Sequence, residues 1–300
     1  MSSADTSKVP TGLDQYTRAA EVSSNKIIEA YSTSFGWATK LLGRSVRQSV
    51  KNIYALVRVA DEVVDGAAAE AAARGGAIDP AKALDELEAE TYAALKNGFS
   101  TNLVVHAFAK TANEVGFGQD LIEPFFYSMR ADLTEVEHDQ ESFDRYVYGS
   151  AEVVGLMCLA AFIKFGNLEY SREEKLALAK GARALGAAFQ KVNFLRDLAA
   201  DFKALGRSYF PGVRVDNFTA AERDRLVADI DNDIQVAAAE LPNLPKSSSK
   251  AVAAALMLFS ELNIRIGNTP ASELVQTRIR VPNTKKLVIL LKAFAGVQHG

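Results

Sequence analysis

The stretch that decides the fold runs from Leu176 to Asp201, LALAKGARALGAAFQKVNFLRDLAAD. Ala, Leu, Val and Phe recur in it at three- and four-residue spacing, the period of an amphipathic helix. On that helix Gln190, Asn193, Asp197 and Asp201 fall within an arc of about 80°. A polar stripe through so apolar a helix reads as a seam inside a bundle. A second stripe lies upstream in YALVRVADEVVD, residues 54–65, where Tyr54, Arg58, Asp61 and Asp65 share one narrow face by the same geometry.

Beyond these two stretches the helical period continues almost throughout, and convincing alternating strands are absent. It predicts helices at 13–42, 46–65, 80–97, 101–115, 119–134, 141–165, 172–203, 219–240, 247–268 and 283–296. Helix starts are written as capping boxes at Ser45–Gln48, Ser171–Glu174 and Thr219–Glu222, and as Asp79 before Pro80, where side chains satisfy free backbone N–H groups. The Ala- and Gly-rich segment 66–79 reads as a flexible loop after the first acidic motif. Segment 204–218, with Gly206, Pro211, Gly212 and Asn217, reads as a loop after the second. Residues 1–12 are expected to be a disordered N-terminus and 13–300 a single all-α domain.

Composition narrows function. A formal charge of −3 with no Lys/Arg block offers no field for nucleic acid. The N-terminus lacks an apolar signal core. The longest apolar run, Val153–Ile163, falls short of the roughly 18 residues of a bilayer span. A soluble, cytoplasmic protein is expected. The single cysteine, Cys158, excludes an internal disulfide and reads as a small buried hydrophobe. Three histidines, His106, His138 and His299, lie away from both motifs, which disfavours zinc and leaves no Ser-His-Asp or Cys-His arrangement. No Gly-rich phosphate loop is present.

Asp pairs four residues apart most often decorate a solvated face. Here like charges at that spacing repel, and turning them into one cavity costs more still unless a hard cation compensates. Mg²⁺ takes oxygen ligands from a few carboxylates plus phosphate oxygens, and Mn²⁺ is an alternative. Arg58, Lys191, Arg196 and Arg207 stand near enough to help neutralise a diphosphate. Metal-assisted departure of a diphosphate is the chemistry left to such a site. The resulting carbocation needs aromatic walls, for which Phe35, Trp37, Phe162 and Phe189 are candidates beside their ordinary role in the core.

The combined motifs resemble the phytoene synthases of the squalene/phytoene synthase family, in particular its actinobacterial carotenoid branch. The resemblance rests on YSTSF at 31–35, YALVRVADEVVD at 54–65, MRADL at 129–133, YVYGSAEVVGL at 146–156 and AAFQKVNFLRDLAADFKALGRSYFP at 187–211. It implies an all-α prenyl synthase fold (isoprenoid synthase type I) with a central cavity. It also implies Asp61 and Asp65 as the first metal-binding motif, and Asn193, Asp197 and Asp201 as the second. Arg58, Gln190, Arg196 and Arg207 match positions that contact diphosphates or their metals. Tyr31, Ser32 and Phe35 match a segment near the first substrate, Tyr146 a tyrosine beside the reacting carbons, and Tyr209 an element that closes the site. Tyr31, Thr33 and Glu152 depart from the family pattern, which commonly has His, Lys or Arg, and Gly there.

The implied reaction joins two geranylgeranyl diphosphates head to head through prephytoene diphosphate to phytoene, with Mg²⁺ and without NADPH. Two alternatives are a C30 enzyme making dehydrosqualene or squalene from farnesyl diphosphate, and a non-catalytic prenyl-lipid-binding helical protein. Small residues after Phe35, namely Gly36, Ala38 and Thr39, favour the longer chain. The basic, amphipathic segment from Arg278 to Lys292 suits either packing on the bundle or peripheral contact at the inner membrane surface.

Overall fold

The computed structural model describes residues 10–32, 36, 38–205 and 209–296, the side chains of 200–205 excepted. Phe35, Thr33, Trp37, Arg207 and His299, the Asp201 side chain and the N-terminal residues 1–9 lie outside the described residues.

The helices are α1 (Gly12–Tyr31), α2 (Arg44–Val64), α3 (Ala67–Ala73), α4 (Pro80–Asn97), α5 (Leu103–Val115), α6 (Gln119–Thr134), α7 (Gln140–Val147), α8 (Val153–Phe165), α9 (Arg172–Leu205), α10 (Ala220–Glu240), α11 (Lys246–Asn268), α12 (Ala271–Leu274) and α13 (Asn283–Ala295). No strand is present among the described residues. The architecture is all-α.

Local chemistry explains most boundaries. The hydroxyl of Thr219 accepts from the Glu222 N–H, and the Glu222 carboxylate accepts from the Thr219 N–H. Ser171 and Glu174 make the same reciprocal pair, and the Asp79 side chain caps the Pro80 helix. The capping box expected at Ser45–Gln48 is corrected: α2 starts two residues earlier, at Arg44, on Gly43 without a side-chain cap. The Gln48 amide instead donates to the Glu21 carbonyl and to Asn52 Oδ1. The first predicted helix is also shorter, because the backbone turns extended at Ser32. The expected loop at 66–79 contains the helix Ala67–Ala73, in line with the high helix propensity of alanine. The short α12 has no counterpart in the reading of the sequence.

Two apolar clusters organise the bundle. In one, Ile53, Leu56, Ala60 and Val64 of α2 pack with residues of α4, α5, α6 and α8. In the other, Ala188, Val192, Leu195 and Leu198 of α9 pack with residues of α7, α10, α11 and α13. Each acidic helix therefore buries its back in a different cluster and keeps its polar stripe on the opposite side. Helix α8 packs against both.

Helices α7 and α8 run together through a π-helical turn, Tyr148–Glu152. The resulting run Gln140–Phe165 is long and apolar enough to cross a bilayer by length and composition, which revises the limit drawn from Val153–Ile163 alone. It passes that test as a core helix does: half of its apolar window is buried in protein.

Candidate active site

On α2, Arg58 Nη1 donates to Asp61 Oδ2 at 2.6 Å, and its Nη2 to Glu62. The guanidinium lies 4.4 Å from the ring centroid of Tyr31, a cation–π contact. Ser32 and Tyr54 are joined by a side-chain hydrogen bond. This fastens the end of α1 to the first polar face. Burial pushes the Asp61 carboxyl up to about 6 from its ordinary 3.8; Arg58 opposes the rise, and the charges of Asp65 and Glu62 add to it. Asp61 and Glu62 thus share the one guanidinium of Arg58.

On α9, Asp197 accepts from Arg196 at 2.5 Å and from Arg278 at 2.7 Å. Arg278 stands in the segment between α12 and α13, far from the motif in sequence. Four residues before Asp197, Asn193 keeps a buried Oδ1 that meets no donor. Gln190 is half-buried on the same stripe. Lys191 does not serve this site: it bonds Asp229 at 2.6 Å and Asp233 at 2.8 Å, which clamps α9 to α10.

Between the motifs stands Tyr146, whose hydroxyl donates to the buried Asp132 Oδ1 at 2.7 Å. Burial, with Asp132, Tyr209 and Asp65 nearby, pushes its phenol well above the ordinary value, so it stays protonated. The field of Asp65 reaches this hydroxyl, while the Tyr146 ring lies 6.0 Å from Phe194 and 5.6 Å from Tyr209. Phe194 and Tyr209 stack at 4.0 Å. His138 completes the cluster, 5.1 Å from Tyr146 and nearly parallel to Tyr209. The cluster reaches α9 through Phe194, and Asp65 of α2 is close enough for its charge to act on the Tyr146 phenol.

The structure refines the residue assignments. Tyr146, Phe194 and Tyr209 form a buried aromatic cluster, whereas Phe189 stacks on Phe259 and Phe162 packs among Leu42, Val46, Val50 and Ala251. Glu152 pairs with Arg183 at 2.6 Å and so links the π-turn to α9. Burial pushes the Cys158 thiol up to about 12, which keeps it inert. Sequence reasoning missed Asp132, Arg278 and the proximity of His138. Asp132 had a signal: it is the lone carboxylate on the apolar face of Phe125, Phe126 and Met129. Arg278 had none, because only folding carries its segment to α9.

The donor set suits a hard cation. The Asn193 oxygen is orphaned, Asp61 is a buried carboxylate that shares its one guanidinium with Glu62, and every candidate ligand is an oxygen. Among the described residues no three His, Cys, Asp or Glu side chains gather tightly enough to hold a metal alone. A Mg²⁺ ion that fills its shell with water and diphosphate oxygens has no such requirement.

Comparison with known proteins agrees with the fold and places the chain among its relatives. The squalene/phytoene synthase family model matches residues 28–285. A 15-cis-phytoene synthase of Pantoea ananas is 28% identical over 283 residues, covering 87% of each chain. A 15-cis-phytoene synthase of a Paracoccus species is 29% identical over 289 residues, covering 90% of this chain and 89% of that protein. The crystal structure of a dehydrosqualene synthase with ligand superposes with a TM-score of 0.76 at 21% identity, over 94% of this chain and 98% of that one. With its helical bundle, its two acidic stripes and these relatives, the chain belongs to the squalene/phytoene synthase family, as a phytoene-synthase-type member.

Proposed function

We propose that this protein condenses two geranylgeranyl diphosphates head to head, through prephytoene diphosphate, to phytoene, releasing diphosphate at a Mg²⁺-dependent site. The observation that carries this reading is the Tyr146 cluster between two acidic faces, each with surplus oxygen ligands and its own arginines. The phytoene synthases of Pantoea and Paracoccus support it at the level of the family.

Asp61, Asp65, Asn193 and Asp197 would hold the metal, with Asp201 completing the second motif. When bound, Mg²⁺ supplies Lewis-acid neutralisation of the leaving diphosphate. The protein's own groups do the rest. Arg58 and Arg196, paired with motif carboxylates in this structure, exchange those partners for diphosphate oxygens, to which guanidinium forks are matched. The Tyr146 ring stabilises the allylic cation, and Phe194 and Tyr209, stacked on each other, exclude water. Because the Tyr146 proton is committed to Asp132, the phenolic oxygen presents its lone pairs to the reacting carbons. The pathway ends in proton loss, so NADPH is not required.

A C30 reading, condensation of farnesyl diphosphate, draws support from the dehydrosqualene synthase neighbour. Against it, Ala38 and Thr39 are small and buried, which favours room for a longer chain. Incubation with C15 and C20 diphosphates and Mg²⁺, with products weighed by mass spectrometry, separates the readings. A C40 hydrocarbon is expected. Turnover of the C15 substrate alone overturns the chain length, and absence of diphosphate release from either substrate favours a non-catalytic prenyl-lipid binder.

A further inference from the structure

We infer that α13 is a membrane-docking helix whose outer face seats in the surface of an anionic lipid bilayer. The helix packs on the bundle through Ile289 and Ala293, and Lys285 pairs with Glu261 of α11 at 3.2 Å. One side of the helix is thus a bundle contact. The opposite side is not covered: Leu287, Val288, Leu291 and Phe294 are 53%, 44%, 61% and 64% exposed. These four lie within an arc of about 120° on the helix. So much large apolar surface on one short, outward-facing helix marks an interaction surface.

Charge identifies the occupant. From Leu274 to the C-terminus the chain carries Arg278, Arg280, Lys285, Lys286 and Lys292 and no acidic residue, although the whole chain has a net charge of −3. Lys250 of α11 joins this edge, with its ammonium 2.8 Å from the Phe294 carbonyl and 4.9 Å from the Phe294 ring centroid. An apolar stripe rimmed by lysines is the pattern that inserts at a headgroup boundary and attracts anionic lipid. A second copy of the chain is a poorer occupant, because a self-complementary contact would set this basic rim against itself.

The location has a consequence that rests on the proposed function. Arg278, bonded to Asp197 of the second acidic motif, stands five residues before α13. Docking would therefore hold the site beside the bilayer, where a long-chain diphosphate partitions and a hydrocarbon product must go. The docking inference itself does not depend on catalysis, and its test reads binding alone.

The full chain is sedimented with phosphatidylcholine vesicles and with vesicles that also contain phosphatidylglycerol. Binding to the anionic vesicles is expected, weakened by salt and by omission of phosphatidylglycerol. Leu291→Glu with Phe294→Glu should lower the partition coefficient at least about tenfold, whereas Val22→Glu, at an exposed apolar residue of α1, should not. Equal thermal melts establish that the variants fold. Hydrogen exchange of the unsubstituted chain gives an independent readout, with vesicle-induced protection expected at 283–295. No co-sedimentation with anionic vesicles overturns the inference, as does protection confined to another segment. Light scattering that finds a dimer broken by the double substitution, without vesicle binding, would assign the face to a second copy instead.

Discussion

Replacing Asp61 by Asn should stabilise the metal-free protein while abolishing its activity. The carboxyl is pushed from 3.8 to about 6, chiefly by burial. The folded state therefore holds this proton more tightly than the unfolded chain does. Its contribution is unfavourable above the folded value and absent below the unfolded one, so stability should rise as pH falls from about 7 to about 4. At 1.36 kcal/mol per pH unit the full shift amounts to about 3 kcal/mol. The side chain is 40% exposed, and solvent screening reduces the expected effect to about 1 kcal/mol. Asn keeps the size and an oxygen to accept from Arg58, and removes only the charge. At pH 8 its melting temperature should exceed that of the unsubstituted chain by about 2 °C, and the gain should vanish near pH 4. Mg²⁺ with pyrophosphate should raise the melting temperature of the unsubstituted chain more than that of the variant. Calorimetry at the two pH values checks this. A gain equal at both, or a loss at pH 8, would refute the argument that burial of the Asp61 charge is the source of the strain.

Arg278→Ala removes a cation at 2.7 Å from Asp197 and should raise KM for the prenyl diphosphate about tenfold, the equivalent of about 1.4 kcal/mol; steady-state kinetics with Arg278→Lys as a partial rescue checks it. Tyr146→Phe deletes a 2.7 Å hydrogen bond to a buried carboxylate and should cost about 1.5–3 kcal/mol of stability, read by urea denaturation, together with a fall in kcat. Gly149→Ala would bring a methyl group within 2.1 Å of the Pro124 carbonyl oxygen and of Ser128 Oγ, so a loss of about 3 kcal/mol is expected. The control Gly267→Ala, in α11 with its nearest neighbour at 3.4 Å, should be neutral or gain up to about 1 kcal/mol.

Most of the bundle was legible because a helix writes its period and its caps into a few adjacent residues. The polar faces 54–58–61–65 and 190–193–197–201 could be drawn from spacing alone. What spacing does not contain is the identity of the neighbour across space. Lys191 is next to Gln190 in sequence, yet one position on a helix is about 100° of rotation, and that turn points it to Asp229 and Asp233 on α10. Arg278 and His138 show the converse, since loops carry them to the site from outside the motifs. The break at Ser32 was hidden for a related reason. Its apolar period continues toward residue 42, and the hydrogen bond to Tyr54 of α2 that accompanies the break is a tertiary contact.

The π-turn at Tyr148–Glu152 accounts for how one helical run serves both halves of the bundle. In a regular α-helix, residues seven apart lie on nearly the same face, so Tyr146 and Val153 would point into one core. They do not: Phe143, Tyr146 and Val147 join the cluster of α9, while Val153 and Met157 join that of α2. A residue accommodated by wider i→i+5 bonding shifts the following faces by about 100°, enough to transfer the helix from one core to the other. Close approach at this turn demands glycine, since Gly149 leaves no room for a Cβ beside Pro124 and Ser128. Ser128 Oγ in turn donates to the Tyr146 carbonyl at 3.1 Å. The same α6 that presses on Gly149 thus holds the Tyr146 backbone through Ser128 and its hydroxyl through Asp132. The tyrosine between the two acidic faces is fixed at both ends by one helix, and the irregular turn is what allows that helix to come so close.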